Sequence, residues 1–168
     1  TYIEPEDMGM ASVFSDIVNS VTIIKDQNGS VYWPAYNLNS IGDLQNGDGY
    51  QIKMNSDAVL NITGSLVSLE FDIVLDVGWS ILGYLHVVCN NTSDMMTPIV
   101  GEMIIMKDED GFVYWPEFGL NSIGNMCPGK GYQIKMNNPT IFNYPYNGRF
   151  GLSAVNSNQN IYYENSTN

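Results

Sequence analysis

Few residues in this chain stand at spacings that support chemistry, and most of those come in pairs. Asp26-Gln27-Asn28-Gly29 and Asp108-Glu109-Asp110-Gly111 set oxygen ligands ahead of a glycine, as a calcium loop opens. The bidentate glutamate that closes such a loop is missing from both, and a hairpin turn accounts for the residues without a metal. Tyr32-Trp33 and Tyr114-Trp115 offer aromatic faces that could stack on sugar rings. Neighbours on a strand face opposite sides, so at most one of each pair reaches the core, and a solvent-facing one suits an interface anchor. His86 is the single histidine and has no partner at a recognisable spacing for general-base work. Glu70 and Asp72 stand two apart on an alternating run and would share its solvent face. With no nucleophile motif, phosphate loop or Cys/His metal set, the sequence points to a protein that is not an enzyme and holds no cofactor or metal.

Covalent modification has clearer candidates. Cys89 and Cys127 are the two cysteines, and a disulfide between them is expected, with free buried thiols or a metal or catalytic role as the other readings. Sequons stand at Asn28, Asn61, Asn90, Asn91 and Asn165. In an Asn-rich chain several arise by chance, so they permit glycosylation without requiring it.

What must position these residues is a repeat. Lys25 to Met54 and Lys107 to Met136 align without a gap at an offset of 82, with 19 of 30 positions identical. An internal repeat of this length implies two copies of one folding unit in tandem. In each, an apolar β-rich run (Val21 to Ile24; Met103 to Met106) leads to Asn28-Gly29 or Asp110-Gly111, a strong hairpin signal, and then to Val-Tyr-Trp-Pro. The prolines end the second strand because they cannot donate to a ladder. Gly49 to Met54 and Gly131 to Met136 alternate as half-buried strands should, and further strands are expected at Ala58 to Ile62 and Thr140 to Tyr144. Met8, Ala11, Phe14, Ile17 and Val18 recur at spacings of three and four, predicting a short amphipathic helix, with a counterpart over Ser93 to Gly101.

The lengths of the two units differ. Leu66 to Leu75 alternates strongly, and Gly78 to Tyr84 reads as a buried strand, whereas the offset aligns Thr1 with Gly83. The expected fold is therefore mainly β: two tandem homologous β-rich modules, each with a short helix, the first lacking its opening strands. The boundaries fall at residues 1–64 for the incomplete module, 65–147 for the complete one, and 148–168 for a C-terminal tail. A sheet short of a strand exposes amides that native proteins cover. The tail, through Phe150, Leu152, Val155, Tyr162 and Tyr163, is the candidate donor strand. Its acceptor is expected in the first module, at Ile23, Tyr32, Trp33, Tyr50 and Ile52. Donation to a neighbour would build an open chain of subunits; return to the chain's own first module, or a disordered tail, are the other readings.

The succession GWxxxGY, KDxxGxVYWP and NSIGxxxxGxGYQIKM resembles a module repeated in large secreted and surface proteins of gliding-type (bacteroidete) aquatic bacteria. The resemblance covers roughly residues 66–144 as a full unit and 1–63 as a unit missing its first strands. It implies an extracellular or cell-surface protein, adhesive or structural. By architecture the chain also looks like subunits of filaments that interlock by strand donation. The net charge of −12 with six basic residues argues against nucleic acid and anionic membranes. No stretch approaches the ~18 apolar residues needed to span a bilayer. The expectation is an extracellular structural subunit that polymerises head to tail, its partner a further copy of itself. A carbohydrate- or surface-binding module of a secreted adhesin is the alternative, with glycans as partners and neither nucleic-acid binding nor membrane insertion in either case.

Overall fold

The computed structural model describes residues 1–146 and, by backbone, 157–163. It is mainly β. Ile3–Glu4 (β1) leads to Met10–Val13 (α1), which tightens at once into a 3-10 turn over Ser15–Ile17. The single amphipathic helix expected there is thus a broken one. Four residues are too few to hold helix alone, and burial of Met10, Phe14 and Ile17 fixes it instead. Val21–Lys25 (β2) and Val31–Trp33 (β3) form the expected hairpin. Only Gly29 takes a positive φ in its turn. Asp26 supplies the rest, its Oδ1 accepting the N–H groups of Asn28 at 2.9 Å and Ser30 at 2.7 Å. Leu38–Asn39 (β4) flanks β3 and Gln51–Met54 (β5) flanks β2, giving the order β4-β3-β2-β5.

Ala58–Leu66 (β6) is longer than expected, and the strand expected over Leu66 to Leu75 contracts to Ile73–Leu75 (β7). Between them the chain turns, the Phe71 N–H bonding the Ser68 carbonyl. The Asn143 amide donates to the carbonyls of Glu70 and Phe71 and to the Asp72 carboxylate. Glu70 and Asp72 therefore belong to a pinned turn, not to the solvent face of a strand.

The second repeat runs through Gly78–Gly83 (β8), Asn90–Asn91 (β9) and Thr92–Met96 (α2), then a 3-10 turn at Thr97–Ile99 that takes in Pro98. Met103–Lys107 (β10), Val113–Trp115 (β11), Leu120–Asn121 (β12), Asn125–Met126 (β13), Gly131–Met136 (β14) and Thr140–Phe142 (β15) follow. The sheet order β12-β11-β10-β14-β8 is that of the first repeat with β8 added on the edge. Ser157–Tyr163 (β16) is the last strand.

Identical residues in the two repeats make identical bonds. Ser40 and Ser122 each bond both backbone groups of a strand valine, Val31 or Val113, at 2.8–3.1 Å. Asn39 and Asn121 accept from the N–H of Gly42 and Gly124 through Oδ1. The hydroxyls of Tyr50 and Tyr132 accept from the N–H groups of residues 45 and 127 at 2.8 and 2.9 Å. Burial lowers the acidity of both tyrosines, pushing each up to about 12.

The sheets meet at a seam of glycines. Gly49 donates to Ile81 O and Gly83 donates to Gly47 O, both at 2.7 Å. A Cβ built on Gly83 would lie 2.6 Å from the Asp48 carbonyl oxygen, and one on Gly49 would lie 2.6 Å from Cγ2 of Ile81. Apolar residues of both repeats then fuse into one core, with Ile24, Leu60, Leu82, Met106, Ile134 and Phe142 almost wholly buried. Replacing Gly83 with alanine is expected to lower stability by about 1–3 kcal/mol, read as a fall in the urea midpoint at unchanged slope. Gly101→Ala, where a Cβ meets nothing, serves as the control.

Candidate functional site

The feature of the molecule that most invites function is the pairing of β16 with β6. Seven residues of β16 pair antiparallel with β6, from Ser157 opposite Gly64 to Tyr163 opposite Ala58. In β6 the side chains of Leu60 and Ile62 turn into the core while Val59, Asn61 and Thr63 point away. The other edge of its C-terminal end pairs with β1, Ile3 opposite Leu66.

The register of this pairing coincides with one in the second repeat. There β15 pairs antiparallel with β7, Thr140 opposite Leu75 and Phe142 opposite Ile73. Ala58 and Thr140 are the same repeat position, as are Leu60 and Phe142. Tyr163 therefore stands where Leu75 stands, Tyr162 where Val74 stands, and Ile161 where Ile73 stands. The tail supplies the first repeat with the strand that the second repeat draws from its own N-terminal side.

Two of the five expected donor residues, Tyr162 and Tyr163, lie in this strand. Phe150, Leu152 and Val155 lie outside the described residues. The expected acceptor needs correction, because none of Ile23, Tyr32, Trp33, Tyr50 and Ile52 belongs to β6. Tyr32 is buried against the core, and Trp33 packs edge-on against Tyr36 at 4.6 Å. Ile23, Tyr50 and Ile52 are half-buried in β2, at the entry to β5 and in β5. Strand β6 was expected over Ala58 to Ile62, but its role as the acceptor was missed. The unbroken alternation of Val59, Asn61 and Thr63 against Leu60 and Ile62 was the signal available.

The remaining candidates fall into structural places. Cys89 and Cys127 are joined by a disulfide across 38 residues. Their counterparts Asp7 and Gln45 are unbonded to each other; Asp7 instead accepts the Gly9 N–H at 2.8 Å. The Asn90 amide donates to the Tyr84 hydroxyl at 2.7 Å, and Asn91 caps α2 by accepting from the Ser93 N–H. Asn28 and Asn61 are exposed, and Asn165 lies outside the described residues. Asp108 repeats the work of Asp26, accepting the N–H groups of Asp110 and Phe112. Tyr114 is buried and Trp115 packs edge-on against Phe118, so each aromatic pair divides between core and surface.

His86 lies in a buried aromatic cluster with Tyr84 and Tyr144, its Nε2 without a hydrogen-bond partner. Burial holds its pKa below the ordinary value, partly offset by a bond to the Pro145 backbone. Comparison with family models, curated proteins and solved structures finds no match to this chain.

Two measurements follow. Because the folded state binds a proton on His86 less readily than the unfolded chain, its contribution is complete above about pH 6.5 and is lost as pH falls toward the lower folded-state value. Melting temperature should decline on acidification through that window, and His86→Asn should remove that part of the decline. Replacing both cysteines by serine should cost about 2–4 kcal/mol, set by the loop the bond closes and measured by denaturant unfolding.

Proposed function

We propose that the chain is an extracellular structural subunit built of two tandem modules and that it polymerises head to tail by β-strand complementation. The observation that carries this reading is the coincidence of register between β16 on β6 and β7 on β15. A strand that enters its sheet from the far end of the chain makes the same ladder whether it belongs to the same copy or to the next one. Ten residues, 147–156, separate Tyr146 from β16. Fully extended, a segment of that length would reach on the order of 30 Å. Exchange of one strand in a fixed direction is a heterologous contact that need not close, and where it does not close it extends into a filament. The disulfide is compatible with an oxidising compartment.

Asn61 and Asn160 stand opposite each other in the ladder. In a doubly substituted Asn61→Cys, Asn160→Cys chain, oxidation should give a covalent ladder of multimers on non-reducing gels, collapsing on reduction. Cross-linked monomer alone would show that the tail stays in its own copy and would refute exchange. Deleting residues 149–168 should leave soluble monomers by sedimentation and by negative-stain microscopy.

A further inference from the structure

The outward face of the two sheets concentrates the chain's cations and its tryptophans. Residues opposite one another on paired strands share a face. Lys25 stands opposite Val31 and Gln51, and Lys53 opposite Ile23. Lys107 stands opposite Val113 and Gln133, Gln133 opposite Ile81, and Lys135 opposite Ile105 and Trp79. The intervening residues, Ile24 and Tyr32 in one sheet and Met106, Tyr114, Ile134 and Ser80 in the other, are buried, so the lysine-bearing face is the outer one. Trp33 and Trp115, two positions on from Val31 and Val113, fall on it too. All three tryptophans and four of the six basic residues of a chain with net charge −12 therefore share one face. Of the other two, Lys130 pairs with Glu109, and Arg149 lies outside the described residues. Strands β2, β3, β5, β8, β10, β11 and β14 contain no aspartate or glutamate.

The two halves of this face meet in a cleft of about 280 Å³ where β5 and β8 part beyond the glycine seam. Gln51, Gln133, Trp79 and Ile81 line it, with Asp26, Gln27 and Ser80. Asp26 spends its Oδ1 on the hairpin backbone, and Gln27 spends its Oε1 on the Ile81 N–H at 2.9 Å. Trp79 is 47% exposed. Lys107 and Lys135 hold their ammonium groups 4.9 and 5.8 Å from its ring centroid. An anion reaching that indole meets two cations.

We propose that this face binds an anionic polysaccharide, a polymer of sugar rings bearing carboxylate or sulfate groups. Indole faces suit the apolar sides of pyranose rings, free glutamine amides suit hydroxyls, and lysines spaced across the strands suit a repeating charge. The centre of a protein–protein interface is depleted of lysine, whereas here lysine and glutamine occupy the middle. Nucleic-acid domains carry net positive charge, and this chain is strongly acidic.

The test titrates the full chain, followed by tryptophan fluorescence and affinity electrophoresis, with alginate, dextran sulfate, neutral dextran and oligo(dT). Binding to alginate or dextran sulfate but not dextran is expected, and which of the two is tighter identifies the anionic group. The Lys25→Gln, Lys53→Gln, Lys107→Gln, Lys135→Gln quadruple variant, its fold checked by circular dichroism, should bind about tenfold more weakly or worse. Trp79→Ala should weaken binding and abolish most of the fluorescence change. Equal binding to dextran, unaltered binding by the quadruple variant, or preference for oligo(dT) would overturn the proposal. So would loss of self-association in the quadruple variant without polysaccharide binding in the parent, which would make the face a contact between copies. The site is distinct from the strand-exchange edge: none of Lys25, Lys53, Lys107, Lys135 and Trp79 lies in β6 or β16.

Discussion

Backbone bonds backbone across the seam of Gly47, Gly49 and Gly83, and the rest of the architecture depends on that contact. Without side chains there, β8 can bond the loop before β5 while still pairing along its other edge with β14. Two sheets that would each be thin and marginal thus share one apolar core. The same contact sets the angle at which β5 and β8 diverge, and hence the cleft on the outer face. A larger residue at Gly83 would press on the Asp48 peptide group, which has no rotamer with which to yield, whereas one at Gly47 or Gly49 would first meet the side chain of Ile73 or Ile81.

Sharing of sequence between the repeats is explained by polar bonds more than by the core. Inside, Ile24 is replaced by Met106, Leu44 by Met126 and Leu60 by Phe142. Volume and polarity are kept roughly and shape is not, as cores tolerate. The serine, asparagine, aspartate and tyrosine residues that hold turns admit no such exchange, because each bond needs one donor or acceptor at one place. The second repeat adds the Cys89–Cys127 bond, and in the first β16 pairs with β6.

Much of this was legible in the sequence. The hairpins, the Tyr-Trp-Pro strand ends and the alternating Gly-Tyr-Gln-Ile-Lys-Met strands are local patterns and lie where expected. What could not be read was which edge the tail fills, since the turn after β6 is pinned by Asn143 from 71 to 73 residues away and leaves no local mark of that partner. Nor did the sequence show that Lys25, Lys53, Lys107 and Lys135 converge with three tryptophans. Each lies at an ordinary polar position of its own strand, and only pairing brings them onto one face.

That convergence gives the molecule an electrical orientation. With net charge −12, most of its surface is repelled by any polyanion at distances comparable to the Debye length of about 8 Å. Only an approach led by the lysine face becomes attractive, and only at short range. A copy arriving at an anionic coat would therefore dock one way up, with the lysine face toward the coat. The next arrival would meet negative charge and not a second landing surface, so coverage by single copies would stop at one layer.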